Sequence, residues 1–258
     1  MHITGNTLLI TGGGTGIGHA LAEAFHAKGN QVIIAGRSQA LLDSVVAANP
    51  GMARATLDVD DVDSIKAFAA QLIKDHPTLN AVIHNAGIMR NENVKDGDTS
   101  TAEATIITNL LGPIRLNAAL LPHLLAQSSA TVMTVTSGLA FMPLAMTPSY
   151  CASKAAMHSY TESLRYQLKD TGIQVMELVP PYLQTNLMGE RQANDPRAMP
   201  LADFIVEVMG LIELQPNATE ICVERVKPLR NVPASIGYGA FFKQFNDAMF
   251  AARVTEMT

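Results

Sequence analysis

Short runs of β-branched and aliphatic residues recur along the chain: TLLIT at 7–11, QVIIA at 31–35, ARATL at 53–57, AVIH at 81–84, TVMTVT at 131–136, IQVMELV at 173–179 and EICVE at 220–224. Their length and composition predict strands. Between them apolar residues return at helical spacing, as in Ile17, Leu21, Ala24 and Phe25, a stretch that closes at Gly29, a residue suited to a helix C-terminus. The same spacing predicts helices over 39–47, 61–75, 101–126 and 150–170. Strands that are apolar throughout and alternate with helices require a parallel sheet covered on both faces. The expectation is therefore an α/β chain, one doubly wound domain over 1–258 with about seven strands. The long irregular region, 186–202, is polar, and the wider segment 186–215 is expected to form a lid within that domain.

Composition narrows the partners. The 258 residues are 48% hydrophobic and 16% charged, enough to bury a sizeable core. A formal net charge of -5 without any Lys/Arg run argues against nucleic acid and against an anionic membrane surface. The longest apolar region, around 118–146, is interrupted by Pro122, His123, Gln127, Ser128 and Ser129, so it is not expected to span a bilayer. MHITGNTLLITGGG has no basic segment and only a short apolar run, so no signal peptide is expected and the location expected is cytoplasmic. Cys151 and Cys222 are too few for a disulfide framework, and no Cys/His spacing suggests a metal site.

The first strand runs into TGGGTGIG, Thr11 to Gly18, and then into a helix. Glycines there permit positive φ and close approach of a phosphate, and the helix N-terminus offers N–H groups and the positive end of its dipole. Gly12, Gly14, Thr15, Gly16, Ile17 and Gly18 thus form a candidate pyrophosphate cradle. A nucleotide-hydrolase loop would need Lys and Ser/Thr next, where His19 and Ala20 stand. In such a fold an acid at the end of the second strand binds the ribose of NAD; here the strand ends AGRS. Arg37, with Ser38 beside it, instead suits the 2′-phosphate of NADP(H), which is the preferred cofactor, while Thr15 in place of a basic residue leaves NAD(H) open.

Thr11-Gly12-x-x-x-Gly16-Ile17-Gly18, Asn85-Ala86-Gly87, Asn109, Ser137 and, thirteen residues later, Tyr150-x-x-x-Lys154 together resemble the short-chain dehydrogenase/reductase family, with its Rossmann-like fold. The segments IAGRS, TNLLGPIRL, TESLRYQL and VPPYLQTNL are most similar to its DltE-type branch. The resemblance implies that Tyr150 is the acid/base, Lys154 its tuner and the holder of the nicotinamide ribose, Ser137 the group that orients the carbonyl oxygen, and Asn109 the anchor of a water relay. It places Asn85, Ala86 and Gly87 at the cofactor ribose, Asp58 with Val59 at the adenine, and Pro180, Leu183 and Thr185 at the nicotinamide carboxamide, although Pro181 stands where a glycine is usual. His84 is read as structural.

Tyrosine has an ordinary pKa near 10, so the positive charge of Lys154 is expected to lower it. The substrate pocket is expected from Ser137, Leu139, Met142, Tyr182 and Met188, together with Met89, Phe141, Met146 and Leu187, an apolar and adaptable set suited to a hydrophobic ketone or secondary alcohol. The helices at 101–126 and 150–170 are apolar over much of their surface, and with the resemblance they imply a homodimer or homotetramer. The activity expected is that of a carbonyl reductase or alcohol dehydrogenase; a dinucleotide-binding redox regulator without turnover is the alternative.

Overall fold

The strands deduced from apolar runs fall into one sheet. In the computed structural model, which describes residues 1–254, they are β1 (Thr7–Thr11), β2 (Gln31–Gly36), β3 (Ala53–Thr56), β4 (Leu79–His84), β5 (Ala130–Val135), β6 (Ile173–Val179) and β7 (Glu220–Cys222). All pair in parallel, in the order β3-β2-β1-β4-β5-β6-β7. The helices are α1 (Gly16–Ala27), α2 (Gln39–Ala48), α3 (Val62–Asp75), α4 (Ser100–Ile106), α5 (Gly112–Leu125), α6 (Pro148–Gln167), α7 (Glu190–Ala193), α8 (Leu201–Leu214), α9 (Lys227–Arg230) and α10 (Tyr238–Val254). The single domain expected over 1–258 also covers 255–258, which lie outside the described residues.

The pleat sorts the core into two layers. Leu8 and Ile10 of β1 share a face with Val32 and Ile34 of β2 and are covered by Leu21 and Phe25 of α1, Leu42 of α2 and Phe204, Val208 and Ile212 of α8. Leu9, Ile33 and Ala35 point the other way, onto Ile65, Phe68 and Leu72 of α3, Leu116, Leu120 and Leu124 of α5 and Leu164 of α6. Alternation along a strand supplies both layers from one apolar run. The chain reverses direction across the sheet between β1 and β4, so a crevice opens at the C-terminal ends of these two strands, where ligands bind in folds of this kind.

Three elements differ from the pattern-based expectation. The helix expected over 101–126 is divided by a π-helical turn, Ile107–Leu111, between α4 and α5. Pro113 has no N–H to donate to the Asn109 carbonyl, so ordinary α-helical bonding fails at this place. At Gly112 a Cβ would lie 2.8 Å from the Val59 carbonyl oxygen, so the helix passes the loop after β3 at a distance only glycine allows. The second difference is α8, within the segment read as a lid; the third is α10, for which no helix was expected. The stretch Ser100–Leu125 is long and apolar enough to cross a membrane by length and composition alone, but Leu116, Leu120 and Leu124 belong to the core beneath the sheet.

Candidate active site

Thr11 ends β1 and ties two loops together. Its hydroxyl accepts from the backbone N–H groups of Asn85 (3.0 Å) and Ala86 (3.1 Å), just beyond β4. The Asn85 amide in turn donates to the carbonyls of Thr11 (3.0 Å) and Gly12 (3.4 Å). This bracing leaves no room for side chains: Gly12 has φ of +69°, and a Cβ on it would meet the Asn85 amide nitrogen at 2.9 Å, while one on Gly18 would meet it at 2.4 Å. Thr15 precedes α1 without a capping side-chain bond, so the first N–H groups of that helix face outward without a side-chain cap. A loop with positive φ, no side chains and an uncapped helix N-terminus fits a pyrophosphate group.

Above this loop lies a cavity of about 630 Å³ lined by Gly12, Thr15, Gly16, Ile17, Asn85, Ala86, Gly87, Val135, Ser137, Tyr150, Lys154, Pro180, Leu183 and Thr185 among others. A smaller one, about 130 Å³, adjoins Gly36, Arg37, Val59, Ala86, Gly87 and Thr108. Most of the expected cofactor residues therefore gather around connected spaces at the crevice. Gly14 and Gly18 support the loop from outside these walls. Asp58 accepts from the Asp60 N–H at 3.0 Å, and Ser38 caps α2 by accepting from the Leu41 N–H at 3.5 Å. Arg37 faces Asp60 across 3.8 Å at the surface.

Ser137, just past β5, and Tyr150 and Lys154, on α6, are all buried. The Ser137 hydroxyl accepts from the Leu139 N–H at 3.1 Å and lies in hydrogen-bonding reach of the Tyr150 phenol. Lys154 Nζ donates to the Val135 carbonyl at 2.7 Å and lies 5.7 Å from the centre of the Tyr150 ring. Burial pushes the phenol up to about 12, against the Ser137 hydrogen bond. The lowering expected from Lys154 is thus not what the protein alone exhibits, because desolvation of the phenolate dominates. Burial also brings Lys154 down to about 8, opposed by the charge of Glu177.

Asn109 does not reach these cavities. Its amide accepts from the Ile88 N–H (2.8 Å) and donates to the Ile88 carbonyl (2.9 Å) and to Ser153 (3.1 Å), fastening the loop after β4 to the π-turn and to α6. With the side chain so engaged, only its backbone carbonyl remains for the expected water.

A second cavity, about 390 Å³, shares Ser137, Tyr150, Met89, Pro180, Leu187 and Met188 with the first and is otherwise lined by Leu139, Leu144, Met146, Tyr182, Leu229, Phe245, Met249 and Ala252 among others. Met142 is a correction: its side chain is fully buried and off both walls, because the 3-10 turn Gly138–Ala140 directs it into the core. Phe141 likewise packs edge-on against His158, with ring centres 4.7 Å apart. Two groups were missed. Gln192 of α7 is buried and donates to the Leu183 carbonyl (2.9 Å) and the Thr185 hydroxyl (3.1 Å) while accepting from the Met188 N–H (3.1 Å). Asn246 of α10 accepts from the Ala145 N–H at 2.7 Å and donates to the Pro143 carbonyl at 3.1 Å, pinning that helix over the second cavity. A lone Gln or Asn in a polar stretch carries no spacing signal; the helical spacing of Phe245 and Met249 was the available hint.

Residues 6–196 match the family model described as short chain dehydrogenase. A Bacillus subtilis oxidoreductase designated DltE is 38% identical over 251 residues, covering 95% of this chain and 98% of that protein. An NADPH-dependent 1-acyldihydroxyacetone phosphate reductase of Schizosaccharomyces pombe is 33% identical over 185 residues, 71% of this chain and 62% of that protein. Among solved structures, a short chain dehydrogenase from Burkholderia cenocepacia in complex with NADP superposes with a TM-score of 0.78 at 23% identity, covering 93% of this chain and 99% of that one. An alcohol dehydrogenase from Thermococcus sibiricus complexed with 5-hydroxy-NADP gives 0.77 at 21% identity, covering 86% and 97%.

Proposed function

The chain belongs to the short-chain dehydrogenase family, and on that premise we propose that it is an NADP(H)-preferring oxidoreductase that reduces the carbonyl of an apolar ketone or aldehyde to an alcohol, or runs the reverse. The observation that carries this reading is that Ser137 and Tyr150 stand on the wall common to the cavities of about 630 and 390 Å³, with Lys154 on the wall of the former.

The residues of the 630 Å³ cavity would hold the nicotinamide half of the cofactor, which when bound would supply or accept the hydride. Gly12, Gly16 and the start of α1 take the pyrophosphate, and Lys154 donates to the ribose hydroxyls. Ser137 donates to the carbonyl oxygen and turns it toward the phenol. Tyr150 then gives its proton to that oxygen as the alcohol forms. A phenol pushed up to about 12 is protonated throughout the neutral range, the state in which it can give a proton to the carbonyl oxygen. Arg37 takes the 2′-phosphate: its pair with Asp60 is long and at the surface, and a doubly charged phosphate competes with it effectively. The NADP of the Burkholderia structure and the NADPH in the name of the fission-yeast relative support this choice.

The second cavity takes the substrate. Its walls are mostly aliphatic, methionine and phenylalanine side chains, which suit an apolar carbonyl compound. Exposed apolar side chains on the interface candidates, Leu125 of α5 and Tyr166 of α6, support a homodimer or homotetramer; the location proposed is cytoplasmic. The test is oxidation of NADPH and of NADH by the unaltered protein across a panel of apolar ketones and aldehydes. Turnover is expected with NADPH as the faster donor. Tight NADPH binding with no turnover of any carbonyl would instead favour a redox-sensing regulator.

A further inference from the structure

Glu177 of β6 lines none of the cavities described, yet it is a carboxylate with 1% exposure between Met176 and Leu178, in the buried part of the strand IQVMELV. A buried anion costs several kcal/mol unless it is paired and hydrogen-bonded. Here Thr136 donates to one oxygen at 2.6 Å and His158 Nδ1 lies 2.7 Å from the other. Thr136 directly follows Val135, whose carbonyl receives Lys154, and His158 lies one helical turn beyond Lys154 on α6. The carboxylate is thus held by the neighbours, on strand and on helix, of the groups that hold the lysine.

The other charges around this point are accounted for. Glu220 of β7 is matched by Arg230 of α9, at 3.0 and 3.2 Å, and accepts from the Cys222 thiol. Glu162 of α6 lies 3.7 Å from the outer nitrogen of His158. Tyr150, the remaining titratable group beside Lys154, is neutral. Donor atoms of His158, Glu177 and Glu220 lie within 4.8 Å of one another, but Glu177 already bonds to His158 and Thr136, and Glu220 to Arg230 and Cys222, so each carboxylate has its own partners. What remains unexplained by packing is a buried anion set off from an equally buried lysine by one residue along the chain past β5 and one turn of α6.

We propose that Glu177 is a positioning residue: its buried carboxylate is the fixed counter-charge that keeps the Lys154 ammonium protonated, and Thr136 and His158 hold it in place. This rests on the reading of Lys154 as the lysine of the reacting centre. Glu177 is the influence that opposes burial at Lys154. Removing the anion withdraws support for the charged form, so Lys154 should lose its proton at lower pH; removing His158 leaves the anion and should not have that effect. Glu177→Gln keeps the shape and can still pair with Thr136 and with the other tautomer of His158.

The test is the titration of Lys154 in the unliganded protein by NMR of ¹³Cε-labelled lysine, the signal assigned through its loss in Lys154→Met. In Glu177→Gln the midpoint should fall by about one pH unit, and the alkaline limb of NADPH oxidation should move down with it. In His158→Gln the midpoint should hold or rise. An unchanged midpoint in Glu177→Gln overturns the proposal, and so does a fall in His158→Gln, which stands as the test by itself if the first variant does not fold. The titration needs neither cofactor nor turnover, so its failure is distinct from a failure of the enzymatic reading.

Discussion

At the scale of single residues, the charges near the crevice decide what the site can bind. No acid ends β2, and Arg37 is the cation placed at the rim of the smallest cavity. Its side chain is 62% exposed, so its contribution to phosphate binding is screened and modest. Arg37→Ala should weaken NADPH binding about tenfold while leaving NADH binding nearly unchanged, as read by nicotinamide fluorescence titration. Equal loss for both cofactors would show that Arg37 shapes the loop and does not read the phosphate. Tyr150 and Ser137 were legible as residues because their order after the glycine loop restricts where they can stand. Met142 was not, since a methionine in a loop reads the same whether it lines a cavity or fills the core.

At the scale of elements, the strand ends and the last helix carry the informative departures. His84 closes β4 fully buried, with neither ring nitrogen bonded among the described residues although Asn117 lies beside it. Burial lowers its pKa from 6.5 to about 4. The unfolded chain therefore binds a proton that the folded one refuses as pH falls from 6.5 towards 4, so stability present above 6.5 is lost across that window, by about 3 kcal/mol. Denaturant unfolding of His84→Asn should show that acid-side slope reduced by about this amount; an unaltered slope would mean the ring is protonated in the folded protein.

Helix α10 makes a different prediction. Asn246→Ala removes the acceptor of the Ala145 N–H and the donor to the Pro143 carbonyl and so frees the helix; KM for apolar ketones should rise several-fold with NADPH affinity unchanged. Parallel loss of NADPH affinity would mean that α10 supports the whole crevice. Apolar runs alternating with helices were enough to read about seven strands and a doubly wound fold, but not the strand order. Gly112-Pro113 marks a place where helical bonding is disturbed, but the π-turn itself depended on Gly112 meeting Val59 in space, while α8 lay behind the polar 186–202 in the segment read as a lid, and α10 was not read as a helix.

At the scale of the whole molecule, one parallel sheet brings residues from 11 to 192 to a single crevice. Its two core layers keep β1, β4 and β5 in register, so the glycine loop, Ser137 and the α6 pair meet at one edge. The helix breaks and loops after β4, β5 and β6 then shape two cavities, one of them mostly apolar, that meet at two hydroxyls. The account stands or falls on the phenol between them. The direct measurement is NADPH binding and ketone-dependent NADPH oxidation in Tyr150→Phe beside the unaltered protein. NADPH affinity should stay within about twofold while kcat falls by about 10²–10⁴-fold, the share of catalysis that a positioned proton donor supplies. Turnover in Tyr150→Phe equal to that of the unaltered protein would contradict the account.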